Sequence, residues 1–124
     1  MEKKFHDTLR ERMDEFVHLI YTITRNFPRE ELYGATSQLR RAALSVILNY
    51  IEGYARRKTL VKINFFQTSF GSLKESKYLL EFSRKENWLK EHEYKQALQL
   101  AEQIAAMLWG TIEALQREFR RPNP

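Results

Sequence analysis

Apolar residues that return every three or four positions along most of the chain do more than any other feature to narrow the folds open to it. Phe5, Leu9, Met13, Phe16, Ile20, Ile23 and Phe27 step by 4, 4, 3, 4, 3 and 4, the spacing that lays one apolar stripe along an α-helix. Ile63, Phe66, Phe70, Leu73 and Leu80 repeat the pattern, as do Tyr94, Leu98, Ala101, Ile104, Leu108, Ile112, Leu115 and Phe119. With only 4 glycines and 3 prolines, breakers are confined to punctuation points such as Phe27-Pro28, where the residue before proline avoids the helical region. The spacing predicts helices over about 5–26, 36–57, 59–86 and 91–119, with Thr36 or Ser37 as N-cap of the second. Connections this short force successive helices antiparallel. The expected fold class is all-α, a single-domain antiparallel up-down-up-down four-helix bundle over residues 1–124, with a frayed tail at 120–124.

A chain of 124 residues can bury a core without staples, and it has no cysteine to make any. No window reaches the ~18 consecutive apolar residues of a membrane span. The expectation is a cytoplasmic protein with no membrane contact. The net charge of +5 is uneven. Residues 25–62 hold Arg25, Arg29, Arg40, Arg41, Arg56, Arg57, Lys58 and Lys62 against Glu30, Glu31 and Glu52, so this segment alone carries the whole excess. A localised basic field favours anionic partners, nucleic acid above all.

The second predicted helix is unusual. Unrolled at 100° per residue, Gln38, Arg41, Ser45, Asn49, Glu52 and Arg56 form a narrow polar seam beside a broad apolar arc. The seam is either a solvated face that lacks long side chains or a second packed surface, against another subunit or a ligand. Arg40 points into the apolar arc one turn from the helix start, where a cation opposes the macrodipole. It is expected to snorkel past the bundle end or form a structural ion pair with a carboxylate such as Glu31. In the third helix Ser69, Ser72, Ser76 and Ser83 align beside Gly71, a spacing that lets another helix approach closely. These serines and the polar seam together make the candidate oligomer interface.

Catalytic patterns are missing. A di-iron bundle needs two Glu-x-x-His pairs and two further inward Glu, and the chain has one such pair, Glu15 with His18. It has no phosphate loop, nucleophile elbow or cysteine, so no enzyme, metal or cofactor is expected. The histidines look like isolated surface residues.

Phe27-Pro28-x-x-Glu31-x-Tyr33-Gly34, Ser37-Gln38-x-Arg40-Arg41-Ala42-Ala43-x-Ser45-Val46, Asn49-x-x-Glu52-Gly53-x-x-Arg56, and Phe65-Phe66 with Gly71-Ser72-Leu73-x-Glu75 carry a resemblance. Over roughly residues 5–113 the chain resembles the small four-helix-bundle proteins encoded in intervening sequences of bacterial large-subunit ribosomal RNA genes. That family is related to the accessory variability determinants of diversity-generating retroelements, pentameric barrels that associate with a reverse transcriptase and nucleic acid. The resemblance implies a ring-shaped homo-oligomer, expected to be a pentamer, with an RNA-related role and no enzymatic activity. Lys62 stands where the family usually has Glu, and Ile47 where it usually has proline. The Lys62 departure adds charge to Arg56, Arg57 and Lys58. Two functional classes follow. One is a nucleic-acid-binding accessory for RNA or DNA, with Arg41, Arg56, Arg57, Lys58 and Lys62 on phosphates and Tyr54 as a stacking platform. The other is a scaffold whose basic surface meets an acidic protein such as a reverse transcriptase.

Overall fold

The computed structural model describes residues 2–121, and the protein is an all-helical bundle. Its helices are α1 (Glu2–Thr24), α2 (Ala35–Tyr54), α3 (Thr59–Lys85) and α4 (Glu91–Arg120), with a turn of 3₁₀ helix at Arg29–Glu31. Each packs on two neighbours around a square, α1 on α2, α2 on α3, α3 on α4 and α4 back on α1. Contacts between opposite ends show that neighbours run antiparallel. His6 at the start of α1 meets Tyr50 near the end of α2, Arg40 near the start of α2 reaches back to Thr24 at the end of α1, and Arg84 at the end of α3 pairs with Glu91 at the start of α4.

Leu9, Met13, Phe16 and Ile20 of α1, Leu39, Ala43 and Val46 of α2, Leu80 of α3, and Ala101, Ile104 and Leu108 of α4 are fully buried. Burial of a large apolar side chain of this kind contributes ~1.5–3 kcal/mol. The stripes leave the core at their ends, where Phe5 is 41% and Phe119 55% exposed. Helix α2, with 20 residues against 30 for α4, is about 15 Å shorter overall. Of the expected frayed tail, Arg120 is still helical, and residues 122–124 lie outside the described residues.

Helix ends are set by specific side-chain and backbone hydrogen bonds. Helix α2 starts at Ala35 with Gly34 as its N-cap, two residues before Thr36 and three before Ser37, the expected caps, because Glu31 Oε1 accepts a hydrogen bond from the Ala35 N–H at 3.1 Å. It stops at Tyr54 because Lys62 Nζ donates to the carbonyls of Tyr54 (2.9 Å) and Gly53 (3.4 Å), which satisfies acceptors that a longer helix would have used internally. Helix α3 ends in a Schellman motif. Asn87 takes a left-handed φ of 63°, Trp88 N–H donates to Ser83 O, Asn87 N–H donates to Arg84 O, and the Trp88 ring closes on Phe82. Helix α4 opens with Glu93 Oε1 accepting from the Lys90 N–H at 2.8 Å.

Two expectations are corrected. The polar seam of α2 and the serine line of α3 face each other inside one chain. Ser45 and Ser72 share a hydrogen bond of 2.7 Å, Ser69 Oγ donates to Val46 O at 2.6 Å, and Asn49 Nδ2 donates to Ser45 O and Oγ. Ser69, Ser76 and Ser83 are fully buried, the latter two donating to carbonyls of their own helix. The small groups therefore let α2 and α3 approach one another. Of the candidate interface, Gln38, Arg41, Glu52 and Arg56 are exposed, and the small residues are not. Nor does Arg40 pair with Glu31. Its guanidinium donates through Nε to Thr24 Oγ1 at 2.9 Å and stacks 4.6 Å over Tyr21, while Glu31 is occupied by the start of α2. A guanidinium held over an aromatic ring and hydrogen-bonded to a hydroxyl needs no carboxylate beside it.

Candidate nucleic-acid interface at the basic end of the bundle

Antiparallel packing brings the start of α1, the α2–α3 turn and the end of α4 to one end of the molecule. Arg57 and Lys58 are exposed in the turn, and neither has an ion-pair partner among the described residues. From the other two segments come Lys4 and Arg10, and Arg117, Arg120 and Arg121, all exposed. Two helix N-termini and two C-termini meet here, so their macrodipoles largely cancel. The field of this end comes from its side chains.

The residues predicted from sequence divide differently. Arg56 is committed to Glu52 at 2.6 Å and lies 5.3 Å over the Phe65 ring. Lys62 spends its ammonium on the carbonyls that end α2 and sits 5.5 Å over the Tyr54 ring. Arg41 is exposed but lies thirteen residues before Tyr54, the last residue of α2, about 20 Å away along the helix, toward the other end of the bundle. Of the expected phosphate contacts, only Arg57 and Lys58 stay both unpaired and together. Lys4, Arg10, Arg117, Arg120 and Arg121 were missed because charge was counted along the chain, where the flanks cancel. The predicted topology already held the signal, since an up-down-up-down bundle puts its first and last turns beside its second connection.

A small pocket opens at this end between α1 and α2. It is lined by His6, Asp7, Arg10, Tyr50, Ile51 and Tyr54 and measures about 80 Å³. The Tyr50 hydroxyl lies 2.5 Å from His6 Nδ1, so His6 is no isolated surface histidine. Burial, with Tyr54 and Asp7 adding to it, pushes the Tyr50 phenol well above its ordinary value. The phenol therefore keeps its proton, and the hydroxyl and the imidazole nitrogen share one hydrogen bond. Tyr50 stacks on Phe66 at 5.1 Å and on Tyr54 at 6.1 Å, while His6 meets Tyr54 edge-on at 4.7 Å. Tyr54 is 48% exposed.

Among the described residues, no group of three or more His, Cys, Asp or Glu side chains could hold a metal ion. None of their helices is long and apolar enough to cross a membrane. No protein of curated function matches the chain in sequence. In fold it is similar to the crystal structure of a protein with unknown function from the S23 ribosomal protein family of Bacteroides thetaiotaomicron. The identity is 17%, the match covers 88% of this chain and 98% of that one, and the TM-score is 0.81. The family model described as 23S rRNA-intervening sequence protein matches residues 8–110, and the chain belongs to that family.

Proposed function

We propose that the protein is a non-enzymatic RNA-binding accessory that grips the phosphate backbone with the basic end of its bundle. The supporting observation is the convergence of cations with no ion-pair partner among the described residues from three separate segments, Lys4 and Arg10, Arg57 and Lys58, and Arg117, Arg120 and Arg121, on one end of the molecule. These cations outnumber the exposed acids of the same segments, Asp7, Glu11, Glu113 and Glu118, and the net positive field attracts a polyanion from a distance and holds it by releasing counterions. The scatter of the charges across a blunt helical end suits sequence-independent contact, since no helix projects into a groove.

The working form is a ring of identical chains, with five copies as the expected number. The outer face of α2 carries Leu44, half-buried, with Leu48 at 55% and Ile51 at 36% exposed. The outer face of α4 presents the small residues Ala106, Gly110 and Ala114, all exposed. A ridge on one helix and a shallow groove on another are unlike patches, and a contact between unlike patches closes into a ring when its rotation allows.

Fluorescence-polarisation titration of mixed-sequence RNA at several salt concentrations tests the reading. Binding should weaken as salt rises, with log K falling by about 0.7 per decade of salt for each single-strand phosphate contacted. Reversing both Arg57→Glu and Lys58→Glu should flatten the slope by about 1.4 with helix content unchanged. No RNA binding even at low salt would reject this function and favour an acidic protein partner, such as a polymerase, for the same surface.

A further inference from the structure

The pocket between α1 and α2 has a lining that phosphate contact does not call for. Its floor is aromatic, from the buried ring of Tyr50 and the edge of His6. One wall is the half-exposed Tyr54, whose position is fixed from behind, because Lys62 holds the Tyr54 carbonyl at 2.9 Å and covers its ring at 5.5 Å. At the rim stand one carboxylate, Asp7, and one guanidinium, Arg10, so the mouth offers a hydrogen-bond acceptor and a fan of donors together. Phe5, 41% exposed, extends the aromatic surface beyond His6, with the ring centroids 5.7 Å apart.

Size and charge limit the occupant. At about 80 Å³ the pocket falls well short of the ~300–1,000 Å³ that encloses a small-molecule substrate, so the occupant enters by an edge and keeps most of its bulk outside. A flat ring suits the aromatic walls. Paired donor and acceptor groups on that ring suit Arg10 and Asp7, and a polyanionic tether suits the Arg57 and Lys58 that follow Tyr54 within ~14 Å of chain. A free phosphate meets only part of this lining, because Asp7 repels it and the aromatic rings have nothing to stack on.

We propose that the pocket is a nucleobase site, in which one unstacked base of a single strand lies against Tyr54 with its polar edge toward Asp7 and Arg10. This rests on the backbone-binding function above and adds to it a preference for single strands, since duplex bases are stacked and paired out of reach. Tyr54 supplies the platform, His6 and Tyr50 hold the pocket's shape, and the surrounding cations hold the strand.

Three probes of equal length separate the two readings: a mixed single-stranded RNA, the same ribose-phosphate chain without bases, and an RNA duplex. The single strand should bind about 5- to 150-fold more tightly than its abasic counterpart, the range expected for one stacked base. Tyr54→Ala should bring single-strand affinity down to the abasic level, and Tyr54→Phe should restore it, because stacking needs the ring and not the hydroxyl. The base-free chain should bind wild type and Tyr54→Ala alike, which also shows that the variant is folded. Equal affinity for the single strand and the abasic chain, or a single strand that binds Tyr54→Ala as well as wild type, would overturn the base site while leaving backbone binding intact. Failure of every probe to bind would remove both.

Discussion

Tyr50 is the residue on which the pocket end of the core turns. Its ring packs between Phe66 and Tyr54 and its hydroxyl holds His6. Because the folded state raises its pKa above the ~10 of an unfolded tyrosine, the stability it lends is fully present below pH 10. It is lost as pH rises toward the folded value, where the unfolded chain has released a proton that the native one retains. In alkaline denaturant titrations, wild type should lose about 1.4 kcal/mol more per pH unit above 10 than Tyr50→Phe. Below pH 10 the variant should be less stable by ~1 kcal/mol for the missing hydrogen bond. Parallel curves across that range would mean that the phenol does not stay protonated. Tyr50 stands at helical spacing from Val46 and Ile47 on the apolar arc of the second helix, so its burial was legible in the sequence. The spacing gave no sign of the partner, because His6 lies forty-four positions away.

At the scale of helices, the seam between α2 and α3 is the clearest case of a feature seen correctly and assigned wrongly. Small and hydroxylated residues at Ser45, Ser69 and Ser72 announced a close approach of two helices, and spacing alone cannot say whether the second belongs to the same chain. Antiparallel neighbours joined by a short turn were the nearest candidates, and they meet there. Two glycines test the distinction. A methyl group on Gly53 would stand 2.6 Å from a Phe66 ring carbon and 2.9 Å from Phe65 Cβ, while one on Gly71 would meet nothing within 4 Å. Gly53→Ala should destabilise the fold by ~1–3 kcal/mol, as overpacking does, outweighing the ~1 kcal/mol gained in helix propensity. Gly71→Ala should instead stabilise it by ~0.5–1 kcal/mol. Thermal unfolding of the two variants decides it, and equal shifts of the same sign would contradict the packing of α2 on α3. The spacing located the α1 and α2 stripes well, but α2 ends three residues early because Lys62 intercepts its last carbonyls, a contact that no local pattern encodes.

For the whole molecule, the fold was legible from periodicity and short connections, whereas the candidate site was only half legible. Arg57 and Lys58 stood out as neighbours in sequence, but Arg117, Arg120 and Arg121 join them only once α4 has returned to the same end. Assembly belongs to this scale as well. Sedimentation at micromolar concentration should give one closed species, expected at five chains, and Leu48→Glu should drive it toward monomer by burying a charge in an apolar contact. Wild-type protein that sediments as a monomer would reject the ring. Leu48→Glu protein that keeps the wild-type mass would move the contact elsewhere. The order of packing also bears on how the chain reaches this state. Three of the four helix contacts join consecutive helices, and only α1 against α4 closes a long loop. Contact order is therefore low, the regime in which helical bundles fold in microseconds to milliseconds. Closing α1 on α4 carries the largest loop-closure cost, so if the consecutive pairs form first the basic end, built from the ends of α1 and α4 and the central turn, is assembled last, and low φ-values for side chains between α1 and α4 would show it.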